Sequence, residues 1–307
     1  MNQKHFFLLF GKMVAVILMT GIIGLFAPAI TAAGLNKWTT NGPEGGPVLC
    51  IAIDPATPST IYACTAGGVF KSTNDGGNWT AASRDILYVN AFAINPNSPS
   101  TIYAGTYAGV FKSANRGGSW SEMNTGLTNA NIKALAINPN NPSILYAGTI
   151  GGGVFKSINS GDSWTEKNTG LTNANIKALA INPNNPSIIY AGTNGGGVFK
   201  STNGGDVWSA VNTGLDSTYI NAFAINPDSP STIYAGTDGG GVFKSTNGGG
   251  NWAVTGLVNN MIYSLAINPA TPSTIYAGTD GLVYKSMNGG GDWTSVNTGG
   301  GFSLPLR

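Results

Sequence analysis

Six tryptophans, Trp79, Trp120, Trp164, Trp208, Trp252 and Trp293, recur at intervals of 41, 44, 44, 44 and 41 residues. A period in the low forties has the length of one four-stranded propeller blade. The repeat ending near Trp208 shows the parts: Ile176 to Pro183, Ile188 to Thr193, Gly197 to Ser201, and Trp208 to Val211. Each run is short and β-prone, and turn residues separate them. No stretch carries a sustained helical period, which excludes a solenoid of helices. The expected fold is all-β: a β-propeller of six four-stranded blades over residues 47–299.

Within a repeat, Leu179 and Ile181 alternate with Ala178 and Ala180. The first strand therefore reads as buried on both faces, at the crowded position near the propeller axis. Asn182-Pro183 then stops it, because proline cannot donate to a ladder. Twelve of the 16 prolines occupy the six equivalent turns, two in each. The next turn is glycine-rich, as in Gly195-Gly196-Gly197. It lacks the Gly-Lys-Ser/Thr ending and following helix of a phosphate loop, so its glycines read as hairpin residues.

The third turn carries the most specific pattern, S-x-N-x-G-x-x-W. It runs from Ser72 through Asn74 to Trp79 and recurs complete at Asn115 and Trp120, and at Asn159 and Trp164. Three further copies hold Asn203 and Trp208, Asn247 and Trp252, and Asn288 and Trp293. The Asn side chain can accept backbone N–H groups and hold the turn. The pattern closely resembles the Asp-box, or bacterial neuraminidase repeat, with asparagine where that motif has aspartate. Six copies in phase make the resemblance specific, and it covers nearly all of residues 47–297. Families built from this repeat include sialidases, sortilin-type receptor domains, xyloglucanases and photosystem II assembly factors. The resemblance implies a propeller, but those functions range from hydrolysis to scaffolding, so function must be read from the site.

Sialidases resemble one another in a three-arginine clamp on a carboxylate. This chain has only Arg84, Arg116 and Arg307, and Arg116 lies within one of the repeated turns. Xyloglucanases carry a catalytic aspartate in a T-D-x-G-G segment, which Thr237-Asp238-Gly239-Gly240 and Thr279-Asp280-Gly281 resemble. Those enzymes, however, set two aspartates on two propellers flanking a cleft, and glycosidases need two carboxyl groups across the scissile bond. Asp238 and Asp280 are the catalytic candidates of that rival reading. As ordinary β-turn residues they need no catalytic role.

Antiparallel connectivity puts the glycine turns and the blade-to-blade connections on one face. There the repeat varies, and variation on a repeated scaffold is where a site is grafted. The binding-face candidates are Arg84, Tyr88, Tyr107, Asn194, Tyr219, Asp238 and Asp280. Tyrosines with Asn and Asp suit a polypeptide or a polysaccharide. Lysine recurs in every third strand, at Lys71, Lys112, Lys156, Lys200, Lys244 and Lys285. It reads as a guard against edge-to-edge pairing, in preference to an anion-binding ring.

Met13 to Phe26 is nearly all apolar, follows Lys4 and Lys12, and leads to small residues through Ala33. Residues 1–33 read as a secretory signal peptide, with cleavage after Ala33 or, as second choice, Ala29. Retention as an anchor is the alternative, although the core is short of the about 20 apolar residues of a spanning helix. The expected location is secreted, periplasmic or cell-envelope, with no membrane contact after cleavage. Removing Lys4 and Lys12 from the 15 basic residues leaves 13, equal to the 13 acidic ones. A neutral domain is a poor partner for nucleic acid. The single histidine, His5, leaves with the signal, so no Ser-His-Asp triad can form and no metal or other cofactor is expected. Cys50 and Cys64 fall symmetrically about a hairpin centred near residue 57, and a cross-strand disulfide is expected after export.

Residues 34–46 are an N-terminal strand or linker in which Trp38 matches a fourth strand without the turn before it. Residues 300–307 form a tail that starts like another blade. Either six blades close with Trp38 as a spare strand, or a seven-bladed parent has lost three strands. The function expected is that of an exported, non-catalytic binding or scaffold propeller, with a xyloglucanase-like glycoside hydrolase as the alternative.

Overall fold

The computed structural model describes residues 42–43 and 47–296. The expected signal segment 1–33, the strand expected at Trp38 and the expected tail 300–307 lie outside the described residues. Among those described, 24 strands and no helix form six antiparallel four-stranded sheets, each in chain order. The inner strands of consecutive blades lie side by side from blade one to blade six. This is the six-bladed propeller that the repeat predicts.

Blade four shows how the sequence builds a sheet. Its strands are Ile176–Ile181, Ile189–Thr193, Val198–Ser201 and the short Ser209–Ala210. Leu179 pairs with Ala191, and Ala191 with Phe199, so large side chains face small ones across the ladder. The Asn182 side-chain oxygen accepts the N–H groups of Asn184 (2.9 Å) and Asn185 (3.0 Å), fixing the Asn-Pro turn. In the third turn, Ser201 Oγ accepts the Gly205 N–H at 2.9 Å and donates to Asn203 Oδ1 at 2.8 Å. Asn203 Oδ1 also accepts the Val207 N–H at 3.0 Å. Gly205 has φ 89°, and a Cβ there would come 3.2 Å from the Tyr146 ring of the preceding blade. Both the left-handed backbone and the close approach call for glycine.

The depth of burial differs from the sequence expectation. The second strand of each blade is wholly buried, as at Ile189–Thr193. The first strand is only partly buried: Leu179, Ala180 and Ile181 are intermediate. The inner strand has one side toward the axis, where no further sheet covers it. The second strand is instead sandwiched by the neighbouring blades.

Blades join through a repeated set of contacts. A Cβ on Gly148 would come within 2.5 Å of the Ile176 side chain, so the Tyr-Ala-Gly-Thr glycine lets the next inner strand approach. Tyr146 Oη donates to Gly204 O at 3.0 Å, and Lys156 Nζ donates to the same carbonyl at 2.8 Å. The Trp208 indole N–H donates back to Lys167 O of the preceding blade at 2.9 Å. The lysines therefore do not guard an edge. Each of the six sits 5.5–5.8 Å from the ring centre of a second-strand tyrosine. Four of them, Lys112, Lys156, Lys200 and Lys244, bridge to the next blade's turn. The third strand is interior to the sheet, and a long side chain there reaches across the seam. In blade one, Cys64 takes the position of the approach glycine. It lies directly opposite Cys50 in the ladder, and the two form a disulfide.

Candidate binding face

The Asn-Pro turns and the Ser-Asn-Gly turns share one end of each blade, tied by bonds such as Gly204 N–H to Ser187 O at 2.9 Å. The glycine turns and blade connections occupy the other end. At that end, exposed apolar side chains come from three regions: Leu87, Tyr88 and Tyr107; Tyr219; and Val258, Met261 and Leu282.

Two clusters form there. In the first, Tyr88 and Tyr107 meet edge to face with ring centres 5.8 Å apart. Tyr88 stands at φ 52°, a left-handed conformation that costs a non-glycine residue, and donates its N–H to Ala66 O at 3.2 Å. Lys133 Nζ lies 4.1 Å from the centre of the Tyr107 ring and donates to Asn90 Oδ1 at 3.0 Å. Asn90 in turn donates to Ile132 O at 3.2 Å. The ammonium is thus fixed by an amide and by the negative face of a ring. The result is a rigid patch of two aromatic rings and one cation.

The second cluster lies across blades four to six. Asn194 and Tyr219 form a β-bridge, and the Asp238 N–H donates to Tyr219 O at 2.9 Å. Ser217 Oγ donates to Asp238 O at 3.2 Å. Burial raises the Tyr263 hydroxyl above its usual range, and the negative charges of Asp280 and Asp238 push it the same way. Asp216 stands in the same connection as Ser217 and Tyr219.

The structure thus brings Tyr88 and Tyr107 together, and joins Asn194, Tyr219 and Asp238, while Asp280 is linked to that cluster by no hydrogen bond described above. Arg84 stands apart. Its guanidinium lies 5.5 Å over the Phe70 ring, beside Trp79 on the flank of blade one. Sequence reasoning missed Asn90, Lys133 and Tyr263. They occupy one equivalent position, the second residue of the inner-strand motif, which reads Leu49, Asn90, Lys133, Lys177, Asn221 and Tyr263 around the six blades. That position varies while its neighbours repeat, and this was the available signal. Among the described residues, no group of three or more His, Cys, Asp or Glu converges as a metal site. What the two clusters bring to this end is aromatic, amide, ammonium and carboxylate chemistry.

No protein-family model matches the sequence, and no curated protein does. Solved structures do match in fold. A GH74 enzyme from Niastella koreensis superposes with TM-score 0.68 at 24% identity, over 82% of this chain and 45% of that one. The GH74 xyloglucanase from Xanthomonas campestris gives 0.66 at 21%, over 82% and 45%. YCF48 bound to D1 peptide gives 0.64 at 16%, over 87% of this chain and 86% of that one. The chain thus spans less than half the length of those GH74 enzymes and nearly the whole of the YCF48 chain. At such identities the likeness is one of fold alone, a β-propeller.

Proposed function

We propose that this protein is an exported, non-catalytic propeller whose channel-mouth face binds an extended polypeptide. The observation that carries the reading is the Tyr88–Tyr107–Lys133 patch, two exposed rings and an ammonium held by Asn90. Rigid tyrosines supply contact area at small entropic cost, which is why they recur at binding hot spots. Leu87, Met261 and Leu282 add aliphatic surface that suits peptide side chains better than sugar rings. Asp216, Asp238 and Asp280 give blades five and six an acidic rim, complementary to basic residues in such a segment. YCF48, a propeller of the same fold, is solved with a peptide.

A polysaccharide hydrolase is the second reading, favoured by the negative charges of Asp280 and Asp238, which both raise the Tyr263 hydroxyl, and by the fold shared with GH74 enzymes. Incubation with xyloglucan and a panel of β-glucans, followed for new reducing ends, separates the two. No release is expected. Release that disappears in Asp238→Ala would overturn the binding reading. Parallel probing of peptide and glycan arrays with the parent and Tyr107→Ala then decides the occupant.

A further inference from the structure

On the inner strands of blades three and four, the ladder skips one residue near the strand's start. Ile132 pairs with Thr149 and Ala134 with Gly148, so Lys133 has no partner in the ladder. Ile176 pairs with Thr193 and Ala178 with Gly192, so Lys177 is passed over in the same way. Such a bulge leaves its extra residue unpaired and re-aims the side chain, and bulges gather beside functional sites. Leu49 and Asn221 are skipped likewise in blades one and five. The repeat therefore keeps the bulge and changes the residue it carries.

In blade three the bulged side chain reaches back to the preceding blade. Lys133 Nζ donates to Asn90 Oδ1 at 3.0 Å and lies over the Tyr107 ring. Both partners are uncharged, so neither neutralises the ammonium. One blade further, Lys177 has Lys133 at the place where Lys133 has Asn90. The inner strands Ile132–Ile137 and Ile176–Ile181 lie side by side. An amide at the first seam is thus replaced by a second cation at the next, and both lysines are partly exposed. Blades three and four carry no Asp or Glu in their connections or glycine turns. Asp216, Asp238 and Asp280 belong instead to the connection into blade five and the glycine turns of blades five and six. Charge on the channel-mouth face is sorted by blade.

We infer that Lys133 and Lys177 form a carboxylate-binding subsite, so that the peptide held at this face is acidic where it crosses blades three and four. The inference rests on the peptide-binding reading above and adds the chemistry of the partner. Two ammonium groups on adjacent blades repel each other, and an Asp or Glu side chain between them turns that repulsion into two attractions. Complementary charge also fixes register and rejects segments of the wrong sign. With the acidic rim on blades five and six, the segment has a set direction across the mouth: acidic residues over the lysines, basic ones over the aspartates.

Capture of binders from a synthetic random-peptide library tests this, with amidated C-termini so that side chains are the only source of carboxylate. Peptides held by the parent protein should be several-fold richer in Asp and Glu than the input. For a single captured peptide, replacing its acidic residue by the matching amide should weaken binding to the parent about tenfold. The same replacement should matter little to a protein carrying both Lys133→Met and Lys177→Met, whose folding is checked by thermal unfolding. The enrichment on the parent needs no variant at all. Binders no richer in Asp and Glu than the input, or an acid preference that survives in the double variant, would overturn the inference and leave the peptide-binding reading standing. Capture of no peptide by the parent would overturn that reading, and the inference with it.

Discussion

Tyr190 of blade four gives its hydroxyl to Gly248 O of blade five at 3.2 Å, 58 residues further along the chain. The bond is buried and crosses a seam, so it measures how blades are locked. Tyr190→Phe removes the donor and leaves a buried carbonyl that Lys200 still satisfies at 2.8 Å. The expected cost is about 1 kcal/mol. Tyr276→Phe should cost nothing or stabilise a single chain, because the hydroxyl it removes is buried without a partner. Urea unfolding of the two variants at low concentration, compared at equal m-value, checks the difference.

The same tyrosines set an alkaline limit. Burial pushes Tyr62, Tyr103, Tyr146, Tyr190, Tyr234 and Tyr276 up to about 12 from the ordinary value of 10.0. The folded state therefore holds protons that the unfolded state has released. A raised folded value stabilises fully below the unfolded value and is lost as pH climbs toward the folded one. Stability should be flat with respect to these groups below pH 10.0 and fall between 10.0 and about 12. Tyrosinate absorbance should rise cooperatively with the loss of circular dichroism. A smooth titration complete before unfolding would show that the hydroxyls are accessible.

The tryptophans should be unequal. Trp208 is 2% exposed and bonded across the seam to Lys167 O, whereas Trp79 is half-buried beside a cavity. Trp208→Ala should cost about 3–5 kcal/mol, the usual loss for a large core side chain. Trp79→Ala should cost clearly less, since part of the space around it is already empty. Chemical denaturation at matched conditions gives both numbers. Equal losses would mean that the blade-one flank is as tightly packed as the others.

What was legible in the sequence was local. The tryptophan period, the Asn182-Pro183 stop and the Ser201–Asn203–Gly205 turn each depend on residues within a few positions of one another. Such rules repeat visibly and give the strand order of every blade. The tyrosine–turn bonds span 54 to 58 residues, and nothing near Tyr146 announces Gly204 as its acceptor. The lysines were misread for the same reason, since their acceptor belongs to another repeat. At the face, Tyr88 and Tyr107 stood out because loops vary. Lys133 was hidden because it sits inside a strand motif whose neighbours are constant, and only the fold carries it to within 4.1 Å of the Tyr107 ring centre.

That contact makes the sharpest test of the binding face. Lys133 Nζ is held between the Tyr107 ring and Asn90 Oδ1, so its charge is placed at the mouth with little freedom left to lose on binding. Tyr107→Ala removes both an exposed ring and the platform for the ammonium. Binding of an extended peptide should fall about tenfold or more, as at other aromatic hot spots. Lys133→Met keeps the apolar stem but discards the charge, and should lower affinity less while flattening its dependence on salt. Tyr107 is half exposed and Lys133 lies at the mouth, so thermal unfolding should change little in either variant. Titration calorimetry at low and high salt reads both effects. A peptide that binds the two variants as tightly as the parent would move the site away from blades two and three, toward the acidic rim around Asp238 and Asp280.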